Sequence, residues 1–124
     1  MQHILVVDDD PAIRDVVADI LEVSGYAVET AVNGAEALEK MHQVLPAAVL
    51  LDLMMPVMSG WELLRACRGE QSCARVPIVV MSAAWEASDV ADELGAQAFL
   101  AKPFELDTVL SVLKQVAHDG ATSR

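Results

Sequence analysis

Aromatic side chains are scarce in this chain: Phe, Trp and Tyr make up 4% of its 124 residues. A core with so few rings has to be built from Val, Leu, Ile, Ala and Met, and a hydrophobic content of 54% is enough to build it. That content excludes disorder. Basic residues are also few, eight against nineteen acidic, for a net charge of −11. A surface of this sign repels phosphate backbones and anionic lipid, so neither direct nucleic-acid binding nor membrane binding is expected. It suits a cation or a basic protein surface instead.

Long apolar runs are missing. The longest, Leu45 to Leu51, is broken by Pro46 and is far too short to span a bilayer. The N-terminus passes from Met1, Gln2 and His3 into a strand-like run without a basic segment or a leader core, so a cytoplasmic location is expected. Cys67 and Cys73 make neither a disulfide framework nor a zinc pattern, and reduced thiols are expected. His3, His42 and His118 are scattered and have no motif around them. Residues 1–124 read as a single domain that closes on a polar tail, Asp119 to Arg124.

What the chain does have is alternation. Short apolar runs recur at Ile4–Val7, Ala47–Leu51, Pro77–Met81 and Ala98–Leu100. Each lacks the in-out pattern of a half-exposed strand and reads as a parallel strand covered on both faces. Tyr26 to Thr30 is a fifth, weaker candidate nearer an edge. Between the runs lie amphipathic helices. The first carries Ile13, Val16, Val17, Ile20 and Leu21 at helical spacing. Asp10 is placed to cap it, Pro11 fits its first turn, and Gly25 follows its end. Gly34–Val44, Trp61–Arg68 and Ala84–Leu94 read as three more helices, the last closed by Gly95. Leu106, Val109, Leu110, Leu113 and Val116 mark a fifth, opened by Glu105 and Asp107. Five βα units imply a doubly wound α/β sandwich, with a five-stranded parallel sheet of flavodoxin-like order 2-1-3-4-5 and five flanking helices.

The polar residues sit where such a fold places its sites. The first strand leads into Asp8 and Asp9, the third ends at Asp52, the fourth at Ser82, and the fifth leads to Lys102. Sites in open α/β sheets form outside the carboxyl ends of the strands, where the strand order reverses. Asp8, Asp9 and Asp52 then share one crevice, with Ser82 and Lys102 along the same edge. Three close carboxylates repel and call for a hard divalent cation such as Mg²⁺, which takes oxygen ligands and keeps several waters. The chemistry this invites is phosphoryl transfer, which rests on positioning and charge neutralisation. In it Asp52 is the attacking group, Mg²⁺ and Lys102 hold the phosphoryl oxygens, and Ser82 donates a hydrogen bond.

The stretches ILVVDDDPAIR, LLDLMMPVMSGWELL, VPIVVMSA and GAQAFLAKPF stand in an order and spacing that resemble the receiver domains of two-component response regulators. The resemblance covers essentially the whole chain. It implies that Asp52 is the phosphoacceptor, that Asp9 binds Mg²⁺ directly, and that Asp8 acts mainly through water. It adds the backbone carbonyl of Met54 as a metal ligand and Phe99 as an aromatic switch residue working with Ser82. A usually cis peptide joins Lys102 to Pro103. The implied phosphodonor is the phosphohistidine of a sensor histidine kinase or of a histidine phosphotransfer protein, and the implied output is an unknown downstream protein partner. Such a domain is a signalling switch that promotes its own phosphorylation and dephosphorylation, rather than an enzyme.

One departure separates the chain from receivers joined to winged-helix DNA-binding domains. These usually carry an acidic residue five positions before the lysine and an arginine in the last helix, where this chain has Gln97 and an arginine-free Leu106–Val116. A stand-alone receiver and the N-terminal receiver part of a longer regulator with an effector beyond Arg124 remain alternatives. A phosphatase-type hydrolase would need a second aspartate two residues after the nucleophile, where Met54 stands. Trp61 and Trp85 read as packing residues, and Met54, Met55 and Met58 as apolar cover over the site.

Overall fold

A computed structural model describes the chain apart from residues 1, 54, 56, 71, 72, 84–87, 94, 123 and 124, and apart from the side chains of residues 88, 90 and 117–122. Five strands, β1 (His3–Val7), β2 (Ala27–Ala31), β3 (Ala48–Asp52), β4 (Ile78–Ser82) and β5 (Ala98–Ala101), alternate with five helices. The helices are α1 (Pro11–Val23), α2 (Gly34–Gln43), α3 (Gly60–Gly69), α4 (Ser88–Glu93) and α5 (Leu106–Thr122). All strand pairs are parallel and the sheet order is β2-β1-β3-β4-β5, as expected.

The apolar runs are continuous because both faces of the sheet are covered. Leu5, Val7, Val49, Leu51, Ile78 and Val80 face α2, α3 and α4 together with Ala37, Met41, Leu63, Leu64 and Ala91. Ile4, Val6, Ala48, Leu50, Val79 and Met81 face α1 and α5 together with Val17, Leu21, Val109 and Leu113. Each fully buried Leu or Ile contributes about 1.5–3 kcal/mol relative to an exposed one. β2, at an edge, is only half-buried over most of its length, which is why its run is the faintest in the sequence.

Asp10 caps α1 through the Ala12 amide at 3.0 Å, with Pro11 in the first turn, and Gly25 follows the helix at φ 99°. Asn33 caps α2, and Ser59 with Glu62 forms a reciprocal capping box on α3. Caps of this kind contribute about 1 kcal/mol each. α4 falls within the expected Ala84–Leu94, and the flanking positions 84–87 and 94, Trp85 among them, lie outside the described residues. α5 continues through Thr122 and so takes in residues expected in a tail: no proline interrupts the backbone hydrogen bonding there. Trp61 is partly buried against the α2–α4 face, in keeping with packing.

The cysteines differ from expectation. Cys67 and Cys73 are bonded to each other as a disulfide and are not reduced thiols. Their Cα atoms lie 5.3 Å apart, a proximity that a bare spacing of six does not reveal.

Candidate functional site

Strand ends deliver the site. The Asp8 amide extends the β1–β2 ladder by donating to the Ala31 carbonyl at 3.2 Å. Asp8 is wholly buried, a position that an unpaired carboxylate cannot hold cheaply. Its partners are all in place. Oδ1 accepts the Asp10 amide at 2.9 Å, Oδ2 lies 3.1 Å from the Lys102 ammonium, and the carbonyl accepts Arg14 Nη1 at 2.9 Å. Asp9 is exposed at the rim. Asp52 ends β3 opposite Met81, is buried, and places Oδ1 3.4 Å from Lys102 Nζ. Among the described residues, Asp8, Asp9 and Asp52 each present a carboxylate oxygen, all within 4.8 Å of one another.

Lys102 is fixed at both ends. Its amide donates to the Ser82 carbonyl at 2.8 Å, its ammonium sits between Asp8 and Asp52, and the peptide to Pro103 is cis. Burial by itself lowers the pKa of this ammonium and is the largest single influence. The charge of Asp52, with the hydrogen bond and charge of Asp8, outweighs it, so the pKa is raised. Ser82 is buried at the end of β4, one position beyond the partner of Asp52. Phe99 lies lower on β5, opposite Val80, partly buried against the α2–α4 face and away from the carboxylates. Met54 lies outside the described residues.

Three carboxylates against one ammonium leave an excess of two negative charges in a partly buried crevice. The donors are all hard oxygens, and the chemistry of the set fits Mg²⁺ with its remaining positions filled by water or phosphate.

Sequence reasoning did not find the supports. Arg14, one turn into α1, ties down the Asp8 carbonyl, and only its helical distance from the acidic pair could have hinted at this. The loop after Asp52 is held from two sides: the Gly34 amide donates to the Met58 carbonyl at 3.0 Å, and the Gly60 amide to the Leu53 carbonyl at 3.1 Å. A methyl group on Gly60 would lie 2.7 Å from Leu53 Cα and press on the Asp52 carbonyl, so only glycine lets α3 start this close to Asp52. Between these anchors Val57 and Met58 adopt φ of 39° and 58°, a left-handed backbone that is unusual for a β-branched residue. Met55 is partly buried against the core.

The sequence profile of the response regulator receiver domain matches residues 4–114. The chain belongs to the receiver domain family of response regulators. This receiver domain is 34% identical over 113 residues to a DNA-binding dual master transcriptional regulator, RpaA, of Synechocystis, covering 90% of the chain and 47% of that protein. It is 36% identical over 124 residues to a CpxR homolog of Haemophilus influenzae, covering 98% and 53%. The chain therefore spans about half the length of these curated relatives. Among solved structures, the chemotaxis response regulator CheY4 of Vibrio cholerae superposes with a TM-score of 0.88 at 36% identity, covering 94% of this chain and 98% of that one. No described helix of the receiver domain is long and apolar enough to cross a membrane.

Proposed function

We propose that Asp52 is the phosphoacceptor and that Asp8, Asp9 and Asp52, with the Met54 carbonyl, hold Mg²⁺. The observation that carries this reading is the Lys102 ammonium set between Asp8 and Asp52 in a cluster of three carboxylates. An Asp52 oxygen attacks the phosphorus of a phosphohistidine on a sensor histidine kinase or phosphotransfer protein. The P–N bond breaks, the imidazole leaves, and an acyl phosphate forms. Mg²⁺, when bound, neutralises the phosphoryl oxygens. Lys102 holds one of those oxygens, and Ser82 donates its hydroxyl to another. Through the same groups the domain promotes both its own phosphorylation and its own dephosphorylation, as a switch and not as an enzyme with a separate substrate. Beside Lys102 an apolar pocket of about 590 Å³, lined by Ala12, Ile13, Val16 and Phe104 among others, offers the phosphodonor protein a surface to pack on.

The phosphoryl oxygens on Asp52 draw the Ser82 hydroxyl inward, and Phe99 moves into the space behind it. The α4–β5–α5 surface then changes toward a downstream protein partner. On this reading residues 1–124 are one cytoplasmic receiver domain that does not itself bind nucleic acid. The greater length of the relatives favours a second reading, in which these residues are the receiver part of a longer regulator. Incubation with a small phosphodonor and Mg²⁺ should add one alkali-labile phosphoryl group, read by mass spectrometry. Labelling that persists undiminished in Asp52→Asn would refute the site.

A further inference from the structure

Cys67, in the last turn of α3, and Cys73, in the connection that leads to β4, are wholly buried in the face covered by α2, α3 and α4. The site chemistry uses neither. The residue after Cys67 gives the bond its reach. Arg68 donates through Nη1 to the carbonyls of Cys73 at 3.4 Å, Ala74 at 2.9 Å and Val76 at 3.1 Å. Through Nη2 it crosses to the connection before β5, donating to the Gly95 carbonyl and to Gln97 Oε1, both at 2.8 Å. Gln97 Oε1 also accepts the amide of Ile78, the first residue of β4, at 2.7 Å. Gly95, at φ 92°, has no side chain where Arg68 approaches; a methyl group there would lie 2.8 Å from Nε. The covalent bond and the guanidinium therefore close on the same residues. The strands they hold at this end carry Ser82 and lead to Lys102 at the other.

We propose that Cys67 and Cys73 are a reversible dithiol–disulfide couple, a redox-sensitive clasp that sets how firmly the starts of β4 and β5 are held to α3. Oxidation proceeds by exchange with a small disulfide such as glutathione disulfide. One cysteine thiolate attacks a sulfur of the small disulfide, breaks its S–S bond and releases one thiolate. The second cysteine then displaces the other half and forms the Cys67–Cys73 bond. Two electrons pass from the cysteines to the small disulfide, and the two thiol protons end on the released thiols. Because both sulfurs are buried, exchange requires local opening of the segment between α3 and β4. In the reduced form the thiols pack as small apolar groups, so the core persists while that opening becomes more frequent.

The test uses the whole chain equilibrated in mixtures of reduced and oxidised glutathione, quenched with acid, then alkylated after unfolding and weighed. A reversible passage between a two-thiol form and an intramolecular disulfide is expected. Amide hydrogen exchange over residues 73–78 and 95–97 should be severalfold faster in the reduced form, with β1 and β3 little changed. A Cys67→Ser/Cys73→Ala double variant should exchange as the reduced form in both buffers. Alkylation of both cysteines in the most oxidising mixture would overturn the proposal. So would a disulfide that forms but leaves exchange at these amides unchanged.

Discussion

Replacing Asp52 by Asn should stabilise the metal-free protein, although it removes a partner of Lys102. Asp52 faces Asp8 with carboxylate oxygens within 4.8 Å and the Lys102 ammonium at 3.4 Å. At an effective dielectric of about 20, the repulsion is about 3.5 kcal/mol and the attraction about 5 kcal/mol. These largely offset one another, and Asp9 adds further repulsion at the rim. The desolvation of a buried carboxylate, several kcal/mol before pairing, then decides the sign. Lys102 keeps Asp8 at 3.1 Å in the variant, so no ammonium is left unpaired. The expected net gain is about 1–2 kcal/mol, or about 4–8 °C in melting temperature for a domain of this size. Thermal melts in chelator measure it. Mg²⁺ at a hundredfold excess over its dissociation constant should then stabilise the wild type by about 2.7 kcal/mol and the variant by less than about half of that. A variant that melts below the wild type in chelator would refute the reasoning, as would equal Mg²⁺ shifts.

Gly60→Ala forces a methyl group against Leu53 Cα and the Asp52 carbonyl. It should cost about 1–3 kcal/mol in urea unfolding and slow phosphorylation as Asp52 is displaced. Arg68→Met leaves the carbonyls of Ala74, Val76 and Gly95 without their donor; a loss of about 2–3 kcal/mol is expected, and an unchanged melting curve would show that water replaces the guanidinium freely. The raised Lys102 pKa gives a pH dependence in chelator. Its stabilising contribution is full below the unfolded-state value of about 10.4 and is lost as pH rises through the higher folded value. Lys102→Met should abolish that alkaline loss in urea titrations near and above this pH.

The strands and the acidic crevice were legible because each rests on a local signal. Ile78 to Met81 is apolar at every position because both faces of β4 are covered, and Asp52 is conspicuous because it ends such a run. Parallel order then carries Asp8, Asp52 and Lys102 to one edge without any knowledge of side-chain packing. What escaped depends on how connections fold back. Nothing at Arg68 indicates that its guanidinium meets carbonyls from two different connections, and a spacing of six does not place Cys73 beside Cys67. Gln97, read only as a departure from a subgroup, proves to accept both the Arg68 guanidinium and the Ile78 amide. The left-handed Val57 and Met58 were hidden for a similar reason: neither residue favours that backbone, and the anchors at Gly34 and Gly60 impose it.

Arg68 binds almost entirely to main-chain oxygens. A contact of this type reads the path of the chain and is blind to the side chains along it. Ala74, an exchangeable position in this respect, could become another residue without removing an acceptor. The fastening between helix and sheet thus rests on a short vocabulary: one arginine, one glutamine and one glycine. The neighbouring positions are left free to vary for other purposes, including whatever surface a partner meets.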